Sequence, residues 1–328
     1  MCELKTPSAL PELSIVVPLH NEAGNVGALI AAIGAAIEPL GRPFEVLLVD
    51  DGSTDATGRL LDEMAAADPR LSPIHLEGNF VKAAALCAGF EQARGGVILT
   101  LDGDLQNDPA DLPHLLALLE AGGYRAVSGW RRKRQEKFIG RVLPSQTANW
   151  LIARLTRVPS RDNGCGLKAY RAEVVKGIYL PHGLHRFMPA VFGVRGREFA
   201  QIEVTDRARR AGRSHYELSR SFAVLRDLLA IPYLLRDPRR ALGWMDALVG
   251  WGMLMVLGAL LACVLHLWGL GVPLGMGAAV LLAYAHSVRA NLQRWIRAQS
   301  EKTFRIRGVA RRPAAAAETV FLRAEVRT

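Results

Sequence analysis

The chain has 328 residues, half of them hydrophobic and 22% charged, with 41 Lys and Arg against 31 Asp and Glu for a net charge of +10. So apolar a chain buries enough surface to offset its ordering entropy, which excludes disorder. Four scattered cysteines (Cys2, Cys87, Cys165, Cys263) exclude a disulfide framework and a Cys/His zinc site, and a mean hydropathy of +0.13 with a basic surplus points to a membrane, an anionic ligand or both.

Met1 to Pro11 carries no apolar h-region, so no signal peptide is expected and the N-terminal part is placed in the cytosol. Short apolar runs at Leu13–Pro18, Phe44–Val49, Ser72–Leu76 and Val97–Leu101 predict strands. Helical patterns at Val26–Ile37, Ala56–Ala67, Lys82–Arg94 and Leu112–Ala121 separate and follow them. This alternation predicts an α/β fold, a parallel sheet covered on both faces, with ligands at the carboxyl ends of its strands. Phe222–Leu235 has helical spacing of leucines and aromatics, which fits an amphipathic helix on a bilayer surface or one packed on the domain equally well.

Between Ala247 and Val288 lies a run of 42 residues without Asp, Glu, Lys or Arg. As one helix it would reach ~63 Å, about twice a hydrocarbon core, so two spans are expected at 247–268 and 271–288, broken at Gly269, Gly271 and Pro273. A buried hairpin in a soluble core is the alternative. Arginines flank the run on both sides (Arg236, Arg239, Arg240; Arg289, Arg294, Arg297), which by the positive-inside rule puts both ends in the cytoplasm. Glu301–Thr328 reads as a tail of little order.

The chemistry gathers at strand ends. The first strand runs into Pro18-Leu19-His20-Asn21-Glu22 and the second into Asp50-Asp51-Gly52-Ser53-Thr54-Asp55. Adjacent carboxylates before Gly and Ser/Thr make a sharp strand-to-helix turn, and either Asp50 or Asp51 could accept from a base or ribose hydroxyl. The fourth ends in Asp102-Gly103-Asp104-Leu105-Gln106, whose alternate carboxylates can reach one divalent cation, with Gln106 as a further oxygen ligand. Neither a Walker nor a dinucleotide glycine loop occurs, so a metal, Mg²⁺ or Mn²⁺, is expected to carry the diphosphate.

The ordered set P-x-x-N-E, V-D-D-G-S-T-D-A-T, N-F-x-K-x-A-A-L and D-G-D-L-Q-N-D-P resembles family 2 glycosyltransferases. More narrowly it is similar to the polyprenyl-phosphate branch, the dolichyl-phosphate mannose synthases, bactoprenol glucosyltransferases and undecaprenyl-phosphate formamido-arabinose transferases. Segments at Gly129–Arg134, Arg161–Tyr170, His185–Pro189 and Arg209–Tyr216 extend the likeness across about 13–235. The resemblance implies a Rossmann-like glycosyltransferase A-type domain over 13–220, after a tail at 1–12. Interfacial helices at 221–246, the hairpin at 247–288 and a cytosolic tail at 289–328 would follow.

It further implies a nucleotide-sugar pocket at Pro18, Asn21, Glu22, Asp50, Asp51, Lys82 and Asp102, with metal on Asp102, Asp104 and Gln106. Arg131, Arg134, Arg209, Ser214 and His215 would contact the donor diphosphate or the acceptor phosphate, and Asp162 would orient the acceptor or a basic residue. Asp104, Arg131, Arg134 and Asp162 are the candidate catalytic set. The implied partners are a nucleotide-diphospho-sugar, a UDP-sugar ahead of GDP-mannose, a polyprenyl phosphate such as undecaprenyl phosphate, and the lipids of the cytoplasmic membrane. A homo-oligomer is left open.

Three positions depart from the pattern: Val81 where the family usually has Gly, His20 for Tyr and His215 for Lys. Val81 puts close backbone approach in question. A histidine at 215 carries full charge only below its pKa near ~6.5, so phosphate binding there would weaken at high pH. The basic clusters at Arg125–Arg141 and Arg207–Arg213 lack interleaved aromatics, which argues against nucleic acid. Cys165 reads as a packed small residue. Elongation of a polysaccharide on a sugar hydroxyl, or a non-catalytic scaffold, are the other function classes.

Overall fold

The computed structural model describes residues 10–131, 150, 152–207, 218–302 and 304–309. The chain divides into two compact units, Met1–Ser214 with Thr303–Thr328, and His215–Lys302. The first is built on β1 (Leu13–Leu19), α1 (Val26–Ile37), β2 (Phe44–Asp50), α2 (Thr57–Ala67), β3 (Leu71–Leu76), α3 (Val81–Gln92), β4 (Val97–Thr100) and α4 (Leu112–Ala121). These follow the predicted elements to within two residues at each end. Strands β5 (Ala126–Trp130), β6 (Lys168–Arg171) and β7 (Phe199–Glu203) complete its continuous part.

β1 is buried on both faces, as a strand with layers on either side must be. On one face Leu13, Ile15, Val17 and Leu19 pack with Val26, Leu29, Ile33 and Ile37 of α1, a helical stripe, and with Leu112, Leu115, Leu116 and Leu119 of α4. α3 lies among small residues, Ala83 to Gly89, and a side chain at Gly89 would collide with Val16, so this helix sits close against β1.

The sheet is mixed where the alternation predicts a parallel one. Its order is β7-β5-β6-β4-β1-β2-β3-β8, and β6 runs antiparallel between β4 and β5. β8 (Ile306–Val309) pairs antiparallel with β3, so part of the segment read as a tail is an edge strand. The carboxyl ends of β1, β2, β3, β4 and β5 still share one edge, since two antiparallel steps through β6 restore the direction.

The second unit consists of α5 (Leu218–Leu234), α6 (Pro238–Val264) and α7 (Trp268–Ser300). α6 and α7 are long and apolar enough to cross a membrane, with mean hydropathies of 2.3 and 1.5 over their apolar stretches, which are mostly exposed. Trp251, Leu254, Leu257, Leu261 and Val264 face outward, which a hairpin buried in a soluble core would not allow. The break falls at 265–267, where His266 takes a left-handed φ of 57°, and not at Gly269–Pro273. Of the residues expected to break the run, Gly271 serves helix contact instead, while a Cβ at Gly269 would meet nothing within 4 Å. A Cβ at Gly271 would lie 2.9 Å from Cys263 Sγ and 3.1 Å from Ala259 O, and one at Gly277 3.2 Å from Met255. α7 also runs past the uncharged stretch, so 289–300 is helix and not tail.

Candidate active site

A cleft of about 270 Å³ opens at the shared strand edge, lined by Pro18, Leu19, His20, Glu22, Asp51, Lys82, Asp102, Gly103 and Asp104. Its walls are the end of β1 and the turns after β1, β2 and β4, with Lys82 at the start of α3. Asn21, at φ 56°, staples two of these turns and does not line the cleft. Its N–H donates to Ser53 Oγ (2.9 Å), and its Oδ1 accepts from the N–H groups of Thr54 (2.8 Å) and Asp55 (3.3 Å). Glu22 lines the cleft while its Oε2 accepts from Asn25 Nδ2 at 2.6 Å.

The two carboxylates after β2 part company. Asp50 turns inward, where its Oδ2 lies 3.0 Å from His75 Nδ1 and its Oδ1 accepts from the Ser53 N–H at 2.9 Å. His75 in turn places Nε2 3.0 Å from Asp62 Oδ1. Burial alone would raise the Asp50 pKa, but the His75 and Ser53 hydrogen bonds outweigh it and hold it below the ordinary range. Asp51 lines the cleft, its Oδ1 accepting from the Phe80 N–H (2.7 Å), and burial raises its pKa.

After β4, Asp102 and Asp104 both line the cleft. Lys82 Nζ donates to Asp102 Oδ1 at 2.5 Å, and the Asp104 carboxylate accepts from the Gln106 N–H at 3.1 Å. Burial would raise the Asp102 pKa, yet Lys82, with Lys168 and Arg131 beyond it, keeps it lowered. Close packing fixes this carboxylate in place: a side chain at Gly166 would land on it. Two hard carboxylates in one cleft fit a divalent cation of the kind usually held by one or two carboxylates plus substrate phosphates. Gln106 is not among the residues that line the cleft, and among the described residues no group of three His, Cys, Asp or Glu forms a complete ligand set.

Arg131, just past β5, is gripped by Asp162, with Nε to Oδ2 at 2.8 Å and Nη2 to Oδ1 at 3.2 Å. Asp162 is 1% exposed and also accepts from the Gly164 N–H. Of the two roles open to Asp162, the geometry therefore supports orienting a basic residue. Arg131 does not line the cleft. Arg134, Arg209, Ser214 and His215 lie outside the described residues. Cys165 is 2% exposed, and burial raises its thiol pKa, as a packing role requires.

Sequence reasoning passes over Lys168, a fully buried lysine of β6 that donates to Cys165 O and whose pKa burial lowers. Its signal is a lysine inside the short run Gly166-Leu167-Lys168-Ala169-Tyr170. His75 is missed too, since nothing in a strand sequence announces a histidine between two carboxylates. Val81 has φ 65°, a left-handed conformation that explains why glycine suits the position.

Residues 14–178 match the family described as Glycosyl transferase family 2. The chain is 42% identical over 232 residues to dodecaprenyl-phosphate galacturonate synthase of Rhizobium johnstonii, covering 70% of this chain and 69% of that protein. It is 35% identical over 271 residues to undecaprenyl-phosphate 4-deoxy-4-formamido-L-arabinose transferase of Pectobacterium carotovorum subsp. carotovorum, covering 82% and 79%. Among solved structures, glucosyl-3-phosphoglycerate synthase from Mycobacterium tuberculosis, in complex with Mn²⁺ and uridine-diphosphate-glucose, is similar in fold. Its TM-score is 0.51 at 22% identity, over 68% of this chain and 78% of that one.

Proposed function

The chain belongs to glycosyl transferase family 2, in its polyprenyl-phosphate branch, and from that premise we propose that it moves a sugar from a UDP-sugar to undecaprenyl phosphate with inversion at the anomeric carbon. Glycosyl transfer from a nucleotide sugar to a polyprenyl phosphate is the activity its relatives indicate. The observation that carries the finer reading is one cleft holding Asp51, Lys82, Asp102 and Asp104 at the strand edge. The UDP assignment draws support from the uridine-diphosphate-glucose complex of a similar fold.

An oxygen of the lipid phosphate attacks the anomeric carbon as the bond to the donor diphosphate breaks, and the electron pair leaves on the nucleoside diphosphate. A phosphate monoester has a second pKa near ~6, so the attacking oxygen is anionic at neutral pH and no strong general base is needed. Asp51 holds the nucleoside, and Asp102 and Asp104 would hold Mg²⁺ or Mn²⁺, which neutralises charge on the leaving diphosphate when bound. Arg131, gripped by Asp162 through Nε and Nη2, would offer its remaining guanidinium N–H groups to phosphate oxygens. The remaining work is positioning. In this reading the hairpin anchors the enzyme in the cytoplasmic membrane with the catalytic unit on the cytoplasmic side, a placement the flanking arginines support through the positive-inside rule.

The test is purified full-length protein with undecaprenyl phosphate and Mg²⁺ or Mn²⁺, offered UDP-glucose, UDP-galacturonic acid, other UDP-sugars and GDP-mannose. Mass spectrometry should find one lipid-linked monosaccharide from a UDP-sugar. Product from GDP-mannose alone would overturn the donor assignment. Sugar added only to a glycan hydroxyl would overturn the acceptor, and no turnover with any donor would leave a scaffold.

A further inference from the structure

Residues 77–82, the β3–α3 loop and the first two residues of α3, reach three groups of the cleft. Asn79 Nδ2 lies 3.2 Å from His20 Nε2, the Phe80 N–H donates to Asp51, and Lys82 holds Asp102. Gly52 of the β2 turn packs so closely on the loop that a side chain there would collide with the backbone of Gly78. At its end Val81 keeps a left-handed φ of 65°, a conformation that persists only where the surroundings over-determine it. Something has to hold this loop from behind.

β8 stands at that place. It pairs Ile306, Gly308 and Val309 with Leu76, His75 and Ile74, and the register slips between His75 and Leu76, where β3 runs into the loop. Bulges of this kind re-aim the chain beside functional sites. The pairing continues past the strand: the Glu77 N–H donates to Arg305 O at 3.0 Å, and Arg305 Nη1 lies 3.9 Å from Glu77 Oε2. Phe304 is 3% exposed and packs on Tyr179 with ring centroids 6.1 Å apart. The Tyr179 hydroxyl lies 3.4 Å from Glu91 Oε2 on α3, the helix that begins at the loop's far end. Segment Phe304–Val309 thus engages the strand before the loop directly and, through Tyr179, the far end of the helix that follows it.

We infer that Phe304–Val309 is a positioning element of the donor cleft, a return strand that sets residues 77–82 and through them the placement of Asp51 and Lys82. The inference rests on the donor-cleft reading above. Its residues touch no reacting atom, so their loss should weaken donor binding more than the chemical step.

Three forms of the detergent-solubilised chain test this: full length, ended after Val309, and ended after Lys302. Ending after Val309 should leave UDP affinity and donor KM unchanged. Ending after Lys302 should raise donor KM and UDP Kd by about tenfold while kcat changes less than about threefold. A peptide of residues 303–309 added in trans should restore affinity by strand addition. Phe304→Ala, which keeps the backbone pairing, covers the case in which the shorter chain does not fold, and should raise KM by about threefold with an unchanged circular dichroism spectrum. Unchanged UDP binding in both the Lys302-ended form and Phe304→Ala would overturn the inference and leave the proposed function standing. Full-length protein that bound neither UDP nor GDP would overturn the donor-cleft reading, and the inference with it.

Discussion

Two strand ends carry paired aspartates, and they use them differently. After β2 the carboxylates are adjacent in sequence, and Asp50 turns into the fold toward His75 while Asp51 faces the cleft. After β4 they alternate, and Asp102 and Asp104 both face it. Asp50 is the last residue of β2 and Asp51 the first beyond it, so D-D divides its carboxylates between scaffold and cleft, whereas Asp102 and Asp104 both lie past the end of β4, in the turn that lines the cleft. Position relative to the strand end decides which aspartate faces the cleft.

The largest expected effects lie at β4. Asp104→Ala should lower kcat by about a hundred- to a thousandfold, the scale for losing one preorganised electrostatic contact in a site, with donor KM changing less. Asp51→Ala should instead raise donor KM with kcat nearly kept. Equal losses of kcat in the two variants would erase the distinction between the strand ends. Normal turnover of Asp104→Ala with Mg²⁺ or Mn²⁺ present would remove the metal assignment.

Asp162→Ala comes next. It leaves Arg131 half-buried without its main partner, and breaking a buried pair costs about 3–5 kcal/mol. A lowered unfolding midpoint together with reduced kcat is expected. Arg131→Lys keeps the charge but loses the fork, and should reduce kcat with a smaller loss of stability. An Asp162→Ala protein of normal stability would mean the pair is not buried as the structure has it.

Asp50 separates from Asp51 by pH. Its hydrogen bond holds the His75 pKa above the ordinary value near ~6.5, against the opposing pull of burial. A group raised on folding stabilises fully below its unfolded pKa, and that contribution is lost as pH rises through the folded one. The unfolding midpoint should therefore fall as pH climbs from ~6.5 through the raised pKa, over and above the trend of the variant. Asp50→Asn should flatten this part of the profile and cost about 1–2 kcal/mol at pH 6. A wild-type profile as flat as the variant's would refute the His75 clamp.

The half of the sheet made of β1 to β4 was legible because each strand is a continuous apolar run followed by a helix, a pattern local enough to read. β5, β6 and β7 were not. β6 is four residues long and contains Lys168, whose burial depends on a carbonyl at Cys165 and on neighbours the sequence does not mark. β8 needs the exposed edge of β3, more than 200 residues earlier, to exist at all. In the uncharged run, composition marks a hairpin but not its turn, because Gly269, Gly271 and Pro273 all sit inside α7 and Gly271 is spent on helix contact. The motif set located the cleft. Only the fold could say that Asn21 staples turns and that Asp50 faces inward.

Val81 joins the two strand ends, sitting between Phe80, which binds the β2 carboxylate, and Lys82, which binds the β4 carboxylate. Its side chain is 36% exposed, so little packing is lost on removing it. A left-handed conformation costs an L-residue roughly 1–2 kcal/mol, and glycine gives back about 0.5–1 kcal/mol in chain entropy. Val81→Gly should therefore raise stability by about 0.5–1 kcal/mol, read as a small rise in the unfolding midpoint, with donor KM within about twofold of wild type. A lower midpoint would show that the valine packs more than its exposure implies. A donor KM that rose as in the chain ended after Lys302 would show that stiffness at this residue, and not the return strand alone, keeps the two carboxylate ends in register.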